Sequence, residues 1–129
     1  MSVSHRPLSP HLGIYRWQLT MALSILHRAS GVFLSLGTVL LVLVLLAIAT
    51  GQSEFEMIQG LLNNIIGQLF MLGWTVSLYL HMANGLRHLI WDAGVGLGKN
   101  IANQSGVFVI AFTVIATGAT WALAIWSGS

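Results

Sequence analysis

Apolar residues run through this chain in three long stretches separated by short polar segments. The first stretch, residues 29–53, carries no charge. At about 1.5 Å per helical residue it is long enough to cross a hydrocarbon core of about 30 Å. Residues 57–86 and 100–129 are likewise uncharged. Because a backbone in lipid must satisfy its own hydrogen bonds, and these runs are too apolar for barrel strands, the pattern predicts three transmembrane α-helices.

The predicted organisation is one all-α integral membrane domain over residues 1–129. We place an inner-side segment at residues 1–24 and helices at approximately 25–50, 58–88 and 105–127. Basic residues precede the first apolar stretch, as they do in a secretory signal. Cleavage after Ala49, however, would remove far more than the roughly 15–30 residues of a signal peptide. We therefore expect no cleavable targeting sequence.

The composition narrows the class of protein further. Hydrophobic residues make up 56% of the chain and charged residues 6%, which is too little charge for a soluble globule. The five basic residues are scattered, which argues against nucleic-acid binding. With no cysteine, this chain alone holds no iron–sulfur cluster or thiolate-bound haem. A metal site must therefore use its histidines, which are His5, His11, His27, His81 and His88.

The distribution of charge predicts the orientation in the membrane. Basic residues precede the first helix and flank the loop between the second and third, whereas the first loop holds only Glu54 and Glu56. Because basic residues favour the inner side, the N-terminus should lie inside and the C-terminus outside. The basic residues concerned are Arg6, Arg16, Arg28, Arg87 and Lys99.

Polar residues share one face of the first helix when its sequence is projected at 100° per residue. For Ser35 and Thr38 we expect only packing against a neighbouring helix. For the cluster Ser24, His27 and Arg28 two interpretations stay open: a binding site, or side chains that extend to the lipid headgroups.

The second helix carries a histidine at greater depth. If this helix ends near Arg87, His81 lies about 9 Å deeper along the axis, inside the hydrocarbon. A histidine there is costly without a partner and marks a functional site. The alternatives are a hydrogen bond between helices and an axial bond to haem iron. Gly85, one turn away, would leave room for a flat macrocycle, and no span contains the acidic residue that a transporter or proton relay would use.

The inner ends of the first two helices bring the polar residues to one depth. Cations and histidines there suit the propionates of a haem, and a hydroxyl with a guanidinium could hold a quinone carbonyl oxygen. We expect Asp92, the acidic residue of this group, to neutralise a nearby arginine. The residues are Ser24, His27, Arg28, Arg87, His88 and Asp92.

Haem ligation would also set a requirement on the far side of the His81 ring. If Nε2 binds iron, Nδ1–H needs an acceptor that fixes the tautomer. The carbonyl or hydroxyl of Ser77, one turn back, is the predicted acceptor.

Three segments of the chain carry a family resemblance. RPLSPHLGIYRWQLTMALSILHRASG (6–31), HMANGLRHLIWDAG (81–94) and QSGV (104–107) resemble the cytochrome b subunit of succinate dehydrogenase, respiratory complex II. The similarity is closest to mitochondrial and alphaproteobacterial members and covers nearly the whole chain. The specific pattern is SxxHRxSG, followed some fifty residues later by HxxxGxRHxxxD.

The resemblance implies partners and a location. Such a chain pairs with a second small membrane-anchor subunit, which supplies the other axial histidine, and it holds an iron–sulfur subunit and a flavoprotein subunit on the inner side of the membrane. It lies in the bacterial or mitochondrial inner membrane and is not part of the catalytic core. Succinate is oxidised at the flavin, and ubiquinone is reduced at the membrane surface.

The resemblance also implies roles for individual residues. Ser24 and Arg28 match the quinone pocket, and His81 matches the axial ligand of haem b. His27 and Arg28 match residues that approach the haem propionates. Residues placed near the quinone with less support are Trp17 and Ile25, which would line the pocket, and Asp92 at its entrance. Two alternatives remain: the anchor of a fumarate reductase, and a structural anchor without haem, since some members keep the fold and bind none.

Overall fold

The computed structural model describes residues 18–128, and in this range the chain forms four helices. They are α1 (Leu19–Thr50), α2 (Gln52–Asn63), α3 (Ile65–Asp92) and α4 (Lys99–Gly128). Three of them, α1, α3 and α4, are long and apolar enough to cross a membrane. The prediction of an all-α protein with three transmembrane helices is therefore confirmed.

The first helix begins earlier than the predicted boundary. α1 starts at Leu19, so that Ser24 belongs to the helix and not to a preceding inner segment. The reason is packing beyond the apolar stretch. Leu23 is 1% exposed, and a side chain on Gly106 would lie 3.0 Å from the side chains of both Leu19 and Leu23. The missing side chain at Gly106 thus lets α4 hold the first turns of α1 in place.

The second predicted helix, 58–88, is divided in the structure. Asn64 has an extended backbone (φ −76°, ψ 164°), which ends α2 and starts α3. Its side-chain oxygen accepts a hydrogen bond from the Gly67 amide at 2.9 Å, as at the N-cap of a helix. A side chain on Gly67 would collide with the Leu61 carbonyl oxygen and the Leu62 backbone. The third helix also extends beyond its predicted start, because α4 begins at Lys99.

The three long helices pack with α3 between α1 and α4. Large apolar side chains mostly lie on the outside, as expected of helices that face lipid. Small residues let the helices approach: a side chain on Gly37 would collide with the Trp74 indole. The buried positions include several polar ones, which are Ser30, Asn84, Arg87, Thr113 and Thr117. Three of these surround the site described next.

Candidate functional site

His81 of α3 packs flat against His27 of α1. The two rings stack with centroids 4.0 Å apart and planes inclined by 5°. The approach depends on glycine, because a Cβ at Gly31 would stand only 3.1 Å from His81 Cε1. Gly85 plays the reciprocal part, since a Cβ there would stand 3.6 Å from His27 Cε1. The sequence analysis expected Gly85 to leave space for a flat macrocycle. In the structure this space faces the ring of His27.

The Nδ1 atom of His81 is bound by α1 and not by its own helix. It lies 3.1 Å from the His27 carbonyl oxygen and 3.1 Å from Ser30 Oγ. The predicted acceptor, Ser77, was wrong. Periodicity places Ser77 one turn away on the same helix face, but α1 comes close enough at Gly31 for its own acceptors to reach the ring.

These contacts determine the tautomer of His81. A carbonyl oxygen can only accept a hydrogen bond, so Nδ1 must carry the proton for the contact with His27 to be favourable. In the neutral ring Nε2 then keeps its lone pair. Nε2 forms no hydrogen bond with any residue of 18–128. Within residues 18–128, His81 therefore presents an oriented imidazole nitrogen as an available ligand.

The second ring of the stack has a buried nitrogen without a partner. His27 Nδ1 forms no hydrogen bond within the described part of the chain. His27 also meets the edge of His88 at 5.4 Å between centroids. His88 in turn packs against Trp91, at 5.2 Å. The predicted proximity of His27 and His88 is thus present in the structure.

Arg87, which the sequence analysis grouped with the inner-end cations, is buried between α3 and α4. It is 5% exposed, and its guanidinium donates to Ser105 Oγ (2.9 Å), Asn84 Oδ1 (3.0 Å) and the Ala102 carbonyl (2.8 Å). Its charge also lies 4.1 Å above the Trp91 ring. These neutral partners join α3 to α4. The predicted neutralisation of an arginine by Asp92 is absent from the described residues, where Asp92 is exposed at the end of α3.

Two further residues of this site were missed by sequence reasoning. Asn84 is 0% exposed and donates to the Leu23 carbonyl at 3.3 Å while it accepts from Arg87. Ser30, which is 5% exposed, donates to the His27 carbonyl at 2.8 Å. Both residues occur in the segments that carry the resemblance. The sequence did carry a signal for both: each is a small polar residue three positions after a candidate functional histidine. Asn84 follows His81, and Ser30 follows His27.

Ser24 and Arg28, near the N-terminal end of α1, are available to bind a ligand. Neither side chain forms a hydrogen bond or ion pair with another residue between 18 and 128. Ser35 and Thr38, by contrast, donate to the Gly31 and Leu34 carbonyls of their own helix, each at 2.9 Å. Ile25 is 50% exposed on the same helix. Trp17 lies outside the described residues, as do His5, His11, Arg6 and Arg16.

A bare metal ion has no site in residues 18–128, where no group of three or more His, Cys, Asp or Glu side chains converges. The available donors are single histidine nitrogens. Such a set fits a metal that arrives with most of its ligands, as haem iron does, and that takes one axial nitrogen from this chain.

Comparison with known proteins places the sequence of this chain in a family. The profile of the succinate dehydrogenase/fumarate reductase transmembrane subunits matches residues 2–120. The mitochondrial succinate dehydrogenase cytochrome b560 subunit of Sus scrofa is 44% identical over 116 residues, which span 88% of this chain and 69% of the relative. The succinate dehydrogenase cytochrome b556 subunit of Paracoccus denitrificans is 37% identical over 111 residues, or 86% and 85% of the two chains. That of Rickettsia felis is 33% identical over 118 residues, 90% of each.

Proposed function

The chain belongs to the family of succinate dehydrogenase/fumarate reductase transmembrane subunits, and from this membership we propose that it anchors a succinate dehydrogenase, binds haem b and contributes to ubiquinone reduction. The chain itself does not oxidise succinate. That step belongs to a flavoprotein subunit, which together with an iron–sulfur subunit would bind at the inner end of the helices.

The observation that carries the haem proposal is the fixed tautomer of His81. Its Nδ1–H is held by acceptors on α1, and its Nε2 lone pair has no partner among residues 18–128. This is the state in which an imidazole binds iron. Haem b, when bound, supplies one-electron redox chemistry inside the membrane. His81 offers one axial nitrogen, and we propose that the second ligand comes from a second small membrane-anchor subunit.

The quinone proposal is supported by the free side chains of Ser24 and Arg28. One helical turn separates them, so both can address one ligand from the same side of α1. The serine hydroxyl would donate a hydrogen bond to a carbonyl oxygen of the ring. The arginine would stabilise negative charge that develops on this oxygen during reduction, and it stays protonated when partly desolvated. Arg28 and His27 also lie where haem propionates would approach.

The orientation proposal follows from the basic residues. Arg6, Arg16 and Arg28 precede or begin the first span, and Lys99 begins α4, while Glu54 and Glu56 lie on α2 at the opposite end. The N-terminus then faces the cytoplasm or the mitochondrial matrix. The inner ends of α1 and α3, with Ser24, Arg28 and His88, face the side on which the soluble subunits bind.

The experiment that tests the haem proposal is a reduced-minus-oxidised absorption spectrum of the purified complex. We expect a low-spin haem b signal in the wild type and its loss or conversion to high spin in His81→Ala. His88→Ala is the comparison variant: His88 packs against His27, Asn84 and Trp91, and its removal should leave a low-spin haem signal if His81 is the ligand. An unchanged low-spin bis-histidine spectrum in His81→Ala would sink the ligand assignment. A wild-type complex without any haem signal would favour a structural anchor.

A fumarate reductase anchor is the second candidate, because the family description includes both enzymes. The three relatives described above are all succinate dehydrogenase subunits, which favours the first. The direction of catalysis depends on cofactor potentials in other subunits. Rates of succinate oxidation with ubiquinone and of fumarate reduction with a low-potential quinol, measured on one purified complex, distinguish the two.

A further inference from the structure

Ser30 and the His27 carbonyl form one hydrogen-bonded unit with His81. The hydroxyl of Ser30 lies 2.8 Å from the His27 carbonyl oxygen and 3.1 Å from His81 Nδ1, and this carbonyl is itself 3.1 Å from Nδ1. Two oxygen atoms of α1 therefore meet at a single ring nitrogen of α3.

The directions of these hydrogen bonds follow from their chemistry. The carbonyl can only accept, so Ser30 commits its one hydroxyl proton to His27. The oxygen of Ser30 then faces Nδ1–H with a lone pair and acts as a second acceptor. Nδ1–H is shared between two acceptors, both of which are supplied by α1.

The position of Ser30 makes this arrangement specific. The residue is 5% exposed, so bulk water cannot take over the contact when the hydroxyl is removed. The ring has little freedom to turn toward another acceptor, because it lies against His27 on one side and Gly31 on another.

We propose that Ser30 is a positioning residue that fixes the orientation of His81 and raises the electron donation of its Nε2, and so lowers the reduction potential of the bound haem. The inference rests on the proposed haem ligation by His81. An acceptor at Nδ1–H increases the basicity of the opposite nitrogen, and a more basic axial ligand favours ferric over ferrous iron.

The test compares Ser30→Ala with Ser35→Ala in the purified complex. Ser35 is the matched control, because it is a serine of the same helix whose hydroxyl donates to the Gly31 carbonyl at 2.9 Å, without a contact to His81. For Ser30→Ala we expect haem to be lost about 10- to 100-fold more readily on dilution or competition with apo-haemoprotein. We also expect a more positive haem midpoint potential, by about 59 mV for each factor of ten in the ratio of ferric to ferrous affinity.

A third variant keeps the test decisive. Ser30→Cys is close in shape but its sulfur is a weak acceptor, so it should give an intermediate potential, and it decides the matter if Ser30→Ala fails to assemble. The low-spin ferric electron paramagnetic resonance signal should shift in both variants and not in Ser35→Ala. Haem that is retained with wild-type potential and resonance in the Ser30 variants would overturn this inference. The proposed function fails separately, if the wild type lacks haem or His81→Ala keeps its low-spin signal.

Discussion

Two arginines, each adjacent to a histidine in the sequence, have opposite environments in the structure. Arg28 is exposed without a partner among residues 18–128, whereas Arg87 is buried and donates to three neutral acceptors. A buried cation is tolerated only when its hydrogen bonds are satisfied, and the planar guanidinium meets this demand by reaching several acceptors at once. One arginine therefore stabilises the bundle and the other is available for chemistry.

The first prediction tests these two roles by replacing each arginine with lysine. In Arg87→Lys the compact ammonium cannot reach all three acceptors, and a buried acceptor left without a donor costs about 1–3 kcal/mol. We expect lower thermal stability of the purified complex, measured as the loss of helical circular dichroism on heating. Arg28→Lys is the control and should keep wild-type stability. Equal stability of the two variants would contradict the assignment.

The second prediction concerns the proposed roles of Ser24 and Arg28 in quinone binding and reduction. Removal of the neutral hydrogen bond in Ser24→Ala should cost about 0.5–1.5 kcal/mol, or roughly 2- to 13-fold in apparent affinity for ubiquinone. Arg28→Lys should slow quinone reduction, because a lysine can lose its proton at a partly desolvated site. Both variants should oxidise succinate normally with a soluble artificial acceptor, which draws electrons upstream of the quinone.

The control for this prediction is Thr38→Ala, which removes a hydroxyl that donates within α1 at 2.9 Å. It should leave ubiquinone reduction unchanged. If Ser24→Ala and Arg28→Lys also reduce ubiquinone at the wild-type rate and affinity, the inner-end cluster is structural and the assignment fails.

How much of the site the sequence could predict follows from these residues. His81 was predicted, because depth in the membrane is a property of one helix and can be counted along the chain. The acceptors of its Nδ1–H were not, because they lie on another helix, and periodicity gives the face of a residue but not the neighbour that approaches it. The burial of Arg87 was missed for the same reason, since its partners Ser105 and Ala102 belong to α4.

The short helix α2 is the element that the hydrophobic pattern hid. Residues 57–86 contain no charge, so hydropathy merges the end of α2 with α3. The break depends on the cap formed by Asn64 and on Gly67, two local features that averaging over a window removes. The three long spans were predictable because length and apolarity alone decide them.

The distribution of polar and apolar residues around α2 indicates how this helix lies relative to the membrane. A polar stripe is formed by Gln52, Glu56, Gln59 and Asn63, and Gln52 donates to Glu56 at 2.8 Å. Met57 and Leu61 are 68% and 61% exposed on another side, where Glu54 is exposed only in the first turn. Because α2 joins two spans, this combination is typical of a helix that lies along the membrane surface with one apolar side in the lipid.

The third prediction tests this placement with one charge at two positions. Leu61→Glu would bring a carboxylate into the lipid boundary and should lower the stability of the complex in liposomes, by less than the roughly 2.5–3.5 kcal/mol of a charge at mid-bilayer. Gln59→Glu adds the same charge on the polar side and should have little effect. Similar losses in both variants would contradict an interfacial position for Met57 and Leu61.

At the scale of the whole molecule, we propose that this chain forms one part of a larger membrane site. Large apolar side chains face outward, while the contacts between helices contain histidines, Arg87, Asn84 and small residues. One histidine nitrogen is available for iron and one buried nitrogen, His27 Nδ1, lacks a partner within residues 18–128. A second anchor subunit that contributes the opposite haem ligand would complete both features.

The last prediction concerns the orientation of the chain in the membrane. The proposed inner orientation of the site depends on few charges: with Arg87 buried between α3 and α4, Lys99 is the exposed base at the connection between these helices, against three arginines at the N-terminal end of the chain. The arginines at the N-terminal end must therefore set the topology, since Glu54 and Glu56 have little influence on it. Alkaline phosphatase, which is active only outside the cytoplasm, should be active when fused after Ser129 and inactive when fused after Gly96. The opposite result would place Ser24 and Arg28 on the outer side, away from any subunit that delivers electrons from succinate, and would refute the proposed quinone site together with the topology.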